Sequence, residues 1–399
     1  MKQVKPIIII GAGPVGLTAA MLLQKRKIPF TLYEAEPELP DDLRASTFHP
    51  PTLDMLETLG VTAPLVAKGL VSPTWQVRMH PSGERAVFDL SVISDATNHP
   101  YRLQCEQSKL CRIMLDMLIT DGADIRMGVQ IEGVEQDEHS VRVALRDSRS
   151  DTAATDEAAF LIGADGARSV VRSTLGFPFE GKTYPETTIL ATTQFPFDEH
   201  LDGLSNVNYV WKEGGTFSLL RLPNLWRCSL YPDGEESIED ALEPASIERK
   251  LQEIVQVEGG HKVDQIRPYR IHMRIVDDYR SGRVLLAGDA AHLNSPSGGM
   301  GMNGGIHDAF ELVDTLEEVL NGAPLDGLDR YTRRRRPIAE QEILTQADRN
   351  RARMQERDPA KRRESLQALQ RTVANPDAAR EHLLRSSMIA GLRKAAEIA

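Results

Sequence analysis

The chain has 399 residues, 41% of them hydrophobic and 26% charged, and a net charge of −11. This is the profile of a folded chain of roughly two or three domains, and it excludes a collagen, a largely disordered protein and a disulfide-stapled miniprotein. The acidic surplus counts against nucleic-acid binding, and no apolar run nears the ~20 residues that span a bilayer.

Lysines precede Ile7 to Ile10 at the N-terminus, and glycines follow them. A secretion signal needs ~7–15 apolar residues and a small-residue cleavage site, so a buried strand fits better. Gly11 to Gly16 is then a turn, Leu17 to Gln24 a helix and Phe30 to Tyr33 a second strand, which completes a βαβ unit. A helix is expected around Leu53 to Leu59, with Pro50 and Pro51 at its start. Trp75 to His80 and Ala86 to Leu90 read as strands around the turn Pro81-Ser82-Gly83. Residues 108 to 120 are helical, and Val141 to Leu145 and Ala159 to Ile162 are strands. Short strands then recur near every ten residues: Thr188 to Thr193, Val207 to Trp211, Phe217 to Leu220 and Cys228 to Tyr231. They suggest a mostly antiparallel sheet inserted between two nucleotide-binding stretches. Val284 to Ala287 is again a buried-type strand, and from about 330 the chain is polar and helical. Arg330 to Arg363 holds twelve Lys/Arg against five Asp/Glu, +7 locally. Helical periodicity spreads Arg333 to Arg336 round the helix, so a solvated or interface helix is expected there. Cys105, Cys111 and Cys228 form no C-x-x-C pair, so no metal or thiol-redox site is expected, and free thiols suit a cytoplasmic setting.

Gly11-Ala12-Gly13-Pro14-Val15-Gly16 follows a strand and opens a helix, and Glu34 ends the next strand 18 residues after Gly16. The first glycine permits the tight turn, the second lets a pyrophosphate approach the backbone, and the third lets helix and strand pack closely. The helix N-terminus presents N–H groups and positive dipole to phosphates, and Glu34 can accept from a ribose diol. The pattern points to a dinucleotide without distinguishing FAD from NAD.

Two later stretches make that distinction by resemblance. One is Gly163-Ala-Asp165-Gly166-Ala-Arg-Ser169-Val-Val-Arg172. The other is Gly288-Asp289-Ala-Ala-His292, continuing through Pro296, Gly298-Gly299-Met300-Gly301-Met302-Asn303 and Asp308. With the first motif, in this order and spacing, they resemble the three fingerprints of the class A, para-hydroxybenzoate hydroxylase-like flavoprotein monooxygenases. The resemblance implies an α/β chain: a doubly wound Rossmann-like FAD-binding domain of glutathione-reductase type, an inserted mostly antiparallel substrate sheet and a helical C-terminus. The expected divisions are 1–74, 101–180 and 266–330 for FAD, 75–100 and 181–265 for substrate, and 331–399 for the helical region.

The resemblance also implies roles. Asp289 would accept from ribityl or ribose hydroxyls. Gly298 to Asn303 would meet the flavin pyrimidine edge, where a helix N-terminus stabilises the anionic reduced ring. The Pro296 carbonyl would lie beside substrate and flavin. Asp165 would support the nucleotide site, or cap the following helix and pair with Arg172. Arg44, Ala45 and Ser46 resemble the flavin-contacting loop, with Arg44 on the pyrophosphate. Ser46 departs from the glycine of the best-known member. Gln107 matches a glutamine on the FAD diphosphate or ribityl. His292, His307 and Asp308 read as structural.

The implied reaction is hydroxylation of a phenolic or other electron-rich aromatic or heteroaromatic ring by NAD(P)H and O2 through a flavin C4a-hydroperoxide. No second dinucleotide domain is present, and the family binds its reductant transiently. Glu36, Glu38, Asp41 and Asp42 would repel a 2′-phosphate, which favours NADH. Tyr209, Phe217, Arg221, Arg227 and Tyr231 are candidates for substrate contact on the inserted sheet, the arginines for a carboxylate or phenolate. The loop Arg44 to Thr52 and the tail resemble small members that attack phenols, such as para-nitrophenol monooxygenases. A homodimer is plausible by family likeness. The other readings are a flavin halogenase or reductase on the same scaffold, or a non-enzymatic FAD-binding protein. Halogenases carry W-x-W-x-I-P, whereas Trp75, Trp211 and Trp226 are isolated.

Overall fold

The computed structural model describes residues 7–41, 45–234 and 236–399. Its first layer is a six-stranded sheet in the order Arg280–Ser281, Val284–Leu286, Phe160–Gly163, Ile7–Ile10, Phe30–Glu34, Asp124–Met127. All neighbours pair in parallel except the short edge strand Arg280–Ser281. Ile7 to Ile10 sit at its centre, each no more than 4% exposed. A parallel strand covered on both faces wants such a β-branched run, and each isoleucine contributes roughly 1.5–3 kcal/mol of burial. Helices Pro14–Lys25 and Met300–Leu320 pack on each other beside this sheet.

The second layer is an eight-stranded sheet. Its order is His292–Leu293, Gln265–Val276, Phe179–Thr193, Leu225–Leu230, Gly215–Leu222, Val207–Lys212, Thr74–Met79, Arg85–Asp89. It is antiparallel but for the pair Val207–Lys212 with Thr74–Met79. The expected short strands are all present, and Phe179–Thr193 runs well upstream of Thr188. Its partner Gln265–Val276 is twelve residues long and has no apolar run to mark it. One face packs Phe197, Val210, Phe217, Leu219, Trp226 and Cys228 against helix Pro244–Gln252. The other face packs Trp75, Val77, Val207 and Trp211 against Met354, Leu366 and Leu383 of the C-terminal helices.

Two small three-stranded sheets complete the fold. One is the meander Val129–Gln136, Val141–Asp147, Thr152–Ala158. The other sets Arg102–Gln104 between Thr47–Phe48 and Leu70–Ser72. The three cysteines are buried and free. Among the described residues no helix is long and apolar enough to cross a membrane. Asp54, Glu57 and His99 bring ligand atoms within 4.8 Å of one another, but Asp54 already accepts from Asn98 N–H and bonds His99 Nδ1, so the cluster satisfies itself.

Candidate active site

The carboxyl ends of the central strands carry the glycine-rich turn. Gly11 has φ +103°, and a Cβ there would lie 2.5 Å from the Ala164 carbonyl. A Cβ on Gly16 would lie 1.9 Å from the Gly11 carbonyl, so the helix reaches the strand only without a side chain. Gly13 differs. It has ordinary extended backbone, and a Cβ there would meet nothing within 4 Å. It caps helix Pro14–Lys25 without any side-chain hydrogen bond, and no acidic residue occupies the first turn. An open space therefore faces bare helix N–H groups. Glu34 reaches the same turn, its Oε2 accepting from Ala12 N–H at 2.6 Å.

The third motif packs directly on the first. A Cβ on Gly288 or on Gly305 would sit 2.7 Å from Val15 Cγ2. Asp289 is exposed in the turn after strand Val284–Leu286. The loop then passes Pro296, which is exposed and whose carbonyl accepts from Gly299 N–H at 2.9 Å. Gly299, at φ +67°, opens the 21-residue helix Met300–Leu320, again with no side-chain cap.

Beside this second helix start lies a cleft of about 510 Å³, its open mouth included. Ser297, Gly298 and Met300 form its floor, Trp75, Val77, Arg102 and Tyr209 one wall, and Gln346, Asn350, Arg353, Met354, His382 and Ser386 the other. His49 supports the floor by bonding the Gly298 carbonyl through Nε2 at 2.8 Å.

Sequence comparison places this arrangement. A family model described as an FAD binding domain matches residues 5–346. The 6-hydroxy-3-succinoylpyridine 3-monooxygenase of Pseudomonas putida is 34% identical over 339 residues, 84% of this chain and 85% of that one. The para-nitrophenol 4-monooxygenase of a Pseudomonas species is 33% identical over 374 residues, 91% and 90% of the two chains. The crystal structure of a p-nitrophenol 4-monooxygenase from Pseudomonas putida superposes with a TM-score of 0.87 at 29% identity, covering 98% of this chain and 99% of that one. This chain belongs to the class A flavoprotein monooxygenases.

FAD is the cofactor of this monooxygenase, and its residues fit that group. Gly13 leaves space at an uncapped helix start, as a pyrophosphate requires, and Glu34 ends its strand beside that turn. Of the residues expected to contact the cofactor, Gly11, Ala12, Gly13, Pro14, Val15, Gly16, Glu34 and Asp289 lie at or just past the carboxyl ends of parallel strands, and Gly298 to Met302 lie at the start of helix Met300–Leu320. Arg44 lies outside the described residues. Ala45 and Ser46 are tied to the start of helix Gln107–Thr120, their carbonyls accepting from Gln107 N–H and Cys105 N–H. These two bonds fasten the loop to the start of that helix.

Several candidates have other work. Asp165 is turned inward and accepts from Ser169 Oγ, Val170 N–H and Val171 N–H, so it caps helix Val170–Thr174. Burial raises its carboxyl above the ordinary value despite those bonds. Arg172 links this motif to the third one, donating to the Ala167 and Ala290 carbonyls. The Asn303 side chain accepts from His49 N–H and donates to the carbonyls of Thr47 and Gly299, which leaves only its backbone for a cofactor.

Of the five substrate candidates, Tyr209 alone lines the cleft beside Gly298. Phe217 is 2% exposed on the opposite face of the sheet. Arg221 lies over the Trp226 ring on that same far side and pairs with Asp198. Strand alternation decides both placements, and the sequence shows the alternation without showing which face is which. Tyr231 and Phe217 line a separate cleft, and burial raises the Tyr231 hydroxyl above its usual range. Arg227 donates to Ser46 Oγ and so braces the flavin loop.

Of the two expectations for the arginine helix, solvated or interface, Arg335 follows the second, being 1% exposed. Its Nε donates to Asp308 Oδ1 at 2.8 Å, and His292 Nε2 bonds Asp308 Oδ2 at 2.7 Å. Burial by itself would raise the Asp308 carboxyl, but His292 and Arg335 hold it well below the usual range. The same Asp308 accepts from Gly288 N–H, and Arg335 donates to the Gly304 carbonyl. This network fastens the C-terminal helices to the third motif.

Two buried imidazoles and one half-buried imidazole make stability depend on pH. Burial and then Arg102 lower His49 to about 3. Burial and then Arg335 lower His307 to about 3. Burial and then Arg353 lower His382 to about 4. Each is depressed from an ordinary 6.5, so the unfolded chain binds these protons first. The stability they give is complete above the unfolded value and is lost as pH falls below it, by about 1.4 kcal/mol per pH unit for each group. Calorimetry should show the melting temperature dropping steeply from pH 6 to pH 4. His307→Gln should remove about a third of that slope, and a flat profile would contradict the buried neutral state.

Proposed function

We propose that this monooxygenase hydroxylates a phenolic or other electron-rich aromatic or heteroaromatic ring, consuming one NAD(P)H and one O2 and releasing one water. The observation that carries this reading is the cleft, whose floor is the Gly298–Met300 loop and whose walls are apolar and hydrogen-bonding side chains. The printed activities of two relatives, on a hydroxylated pyridine and on a nitrophenol, point the same way.

Bound FAD supplies the electron transfer from NAD(P)H to O2 that makes ring oxygenation possible. Everything else falls to the chain. Trp75, Val77, Met300 and Met354 give the ring apolar surface and keep water from the reacting centre. The uncapped start of helix Met300–Leu320 offers N–H groups and positive dipole to negative charge at the cleft floor. Tyr209 and Ser297 provide hydroxyls at the ring edge. Glu36 and Glu38 are exposed just past Glu34 and favour NADH over a phosphate-bearing reductant.

The test is NAD(P)H oxidation by purified FAD-loaded protein in the presence of a panel of phenols and hydroxypyridines. Stimulation by a ring substrate, matched by O2 uptake and a hydroxylated product, is the expected result, with kcat/KM higher for NADH. Oxidation that no aromatic compound stimulates would refute the proposal. A halogenated product would favour the halogenase reading, and equal kcat/KM for both reductants would remove the NADH preference.

A further inference from the structure

The arginines that sequence suggests for an anionic substrate do not line the cleft: Arg221 pairs with Asp198, and Arg227 bonds Ser46 Oγ. A different one stands in the cleft. Arg102 is 3% exposed and sits on strand Arg102–Gln104, held on both sides by Thr47–Phe48 and Leu70–Ser72. Its guanidinium lies 4.9 Å from the Trp75 ring centre. The Tyr209 hydroxyl acts on it and raises its proton affinity, and its Nε and Nη1 have no hydrogen-bond partner among the described residues.

We propose that Arg102, with Arg353, reads a negatively charged oxygen on a one-ring aromatic substrate, a phenolate or a ring carboxylate, and so selects anionic rings over neutral ones. This rests on the reading of the cleft as the substrate site. A buried guanidinium is costly without a counter-charge, and no acidic side chain lines this cleft. Arg353, from helix Thr345–Gln355, is the second cation in the lining, and no ion pair engages it among the described residues. Burial lowers the proton affinity of both guanidiniums, and no carboxylate acts to restore it.

His382 lies within electrostatic reach of both arginines and stacks against Phe88 at 4.5 Å. Held neutral above about pH 4, it adds no third charge to the wall. Trp75 Nε1 is a further buried donor with no partner among the described residues. The wall is thus rich in donors and in positive charge. A ligand that brings apolar ring surface together with anionic oxygen satisfies it, and a neutral ring leaves Arg102 unpaired. The placement also shows why the tail matters: the second cation and the neutral imidazole both come from residues after 345.

The experiment uses FAD-loaded protein without NAD(P)H, so that binding is read apart from turnover. Para-nitrophenol is the first probe, because its phenolate absorbs in the visible. Bound to the wild type, it should ionise at least about one pH unit lower than in solution, which is a tenfold preference for the anion. Benzoate should displace it at least tenfold better than benzamide. Arg102→Met should abolish both preferences while FAD absorbance and far-ultraviolet circular dichroism stay unchanged, and Arg102→Lys should restore part of them. If Arg102→Met does not fold, Arg353→Met provides the same readout and should weaken the anion preference. An unshifted nitrophenol titration, or an anion preference that survives both methionine variants, would overturn the proposal. Hydroxylation of neutral rings with no anion preference would sink this inference alone, whereas intact anion selectivity without any ring-stimulated NAD(P)H oxidation would sink the hydroxylase reading alone.

Discussion

Gly13→Ala is expected to empty the protein of FAD without unfolding it. The residue has ordinary backbone angles, and an added methyl group would touch no protein atom, so the apo fold has no reason to suffer. The methyl instead enters the space over the uncapped start of helix Pro14–Lys25. Hydrogen bonds from backbone N–H to a charged phosphate are worth roughly 1.5–3 kcal/mol each, so holding the pyrophosphate off the helix should raise the Kd for FAD by about 100-fold. The flavin-to-protein absorbance ratio after gel filtration measures this, beside the melting temperature of apo protein. Gly16→Ala is the contrast: its Cβ would press on the Gly11 carbonyl, so it should cost fold and FAD together. Stoichiometric flavin in Gly13→Ala at wild-type affinity would show that the cradle is not where the phosphates lie.

Arg335→Met is expected to give the largest loss of stability. Asp308 is 0% exposed on its side chain, with Arg335 and His292 as its ion-pair partners. Removing one partner of a buried pair leaves an uncompensated charge, typically at a cost of 3–5 kcal/mol. For a chain of this size the melting temperature should fall by several degrees or more. Flavin retention should fall with it, because Asp308 also receives Gly288 N–H and Arg335 holds the Gly304 carbonyl. Pairing Arg335→Met with Asp308→Asn should recover part of the loss, since the stranded charge is then gone. A variant with wild-type thermal unfolding would show that the network does not anchor the tail.

Much of the cofactor machinery is legible in the chain because it is local. Gly11 to Gly16 specify their turn within six residues, and a β-branched run followed by a proline-started helix and a second strand reads as a βαβ unit. Asp289 lies three residues past Leu286, the last of its strand, so its place at a carboxyl end is fixed by counting. Other roles depend on partners far away in sequence. Asn303 reads as a cofactor contact until its amide is seen bonding Thr47 and His49 from 254 to 256 residues away. Arg335 reads as part of a solvated or interface helix, and only Asp308 found against it decides between the two. Strand Gln265–Val276 carries arginines, a proline and a histidine, and it exists because Phe179–Thr193 supplies eleven paired residues along it.

Sequence by itself determined the family, the cofactor and the order of the supersecondary units, since short-range backbone requirements write themselves into glycines, prolines and runs of isoleucine. Tertiary structure alone decided which face of the eight-stranded sheet meets the flavin loop, and therefore that Tyr209 enters the cleft while Phe217 and Arg221 do not. It also decided that Arg102 and the tail residues Arg353 and His382 line one cleft. The physical reason is that side-chain alternation fixes two faces without labelling them, and burial of a charge depends on elements hundreds of residues apart.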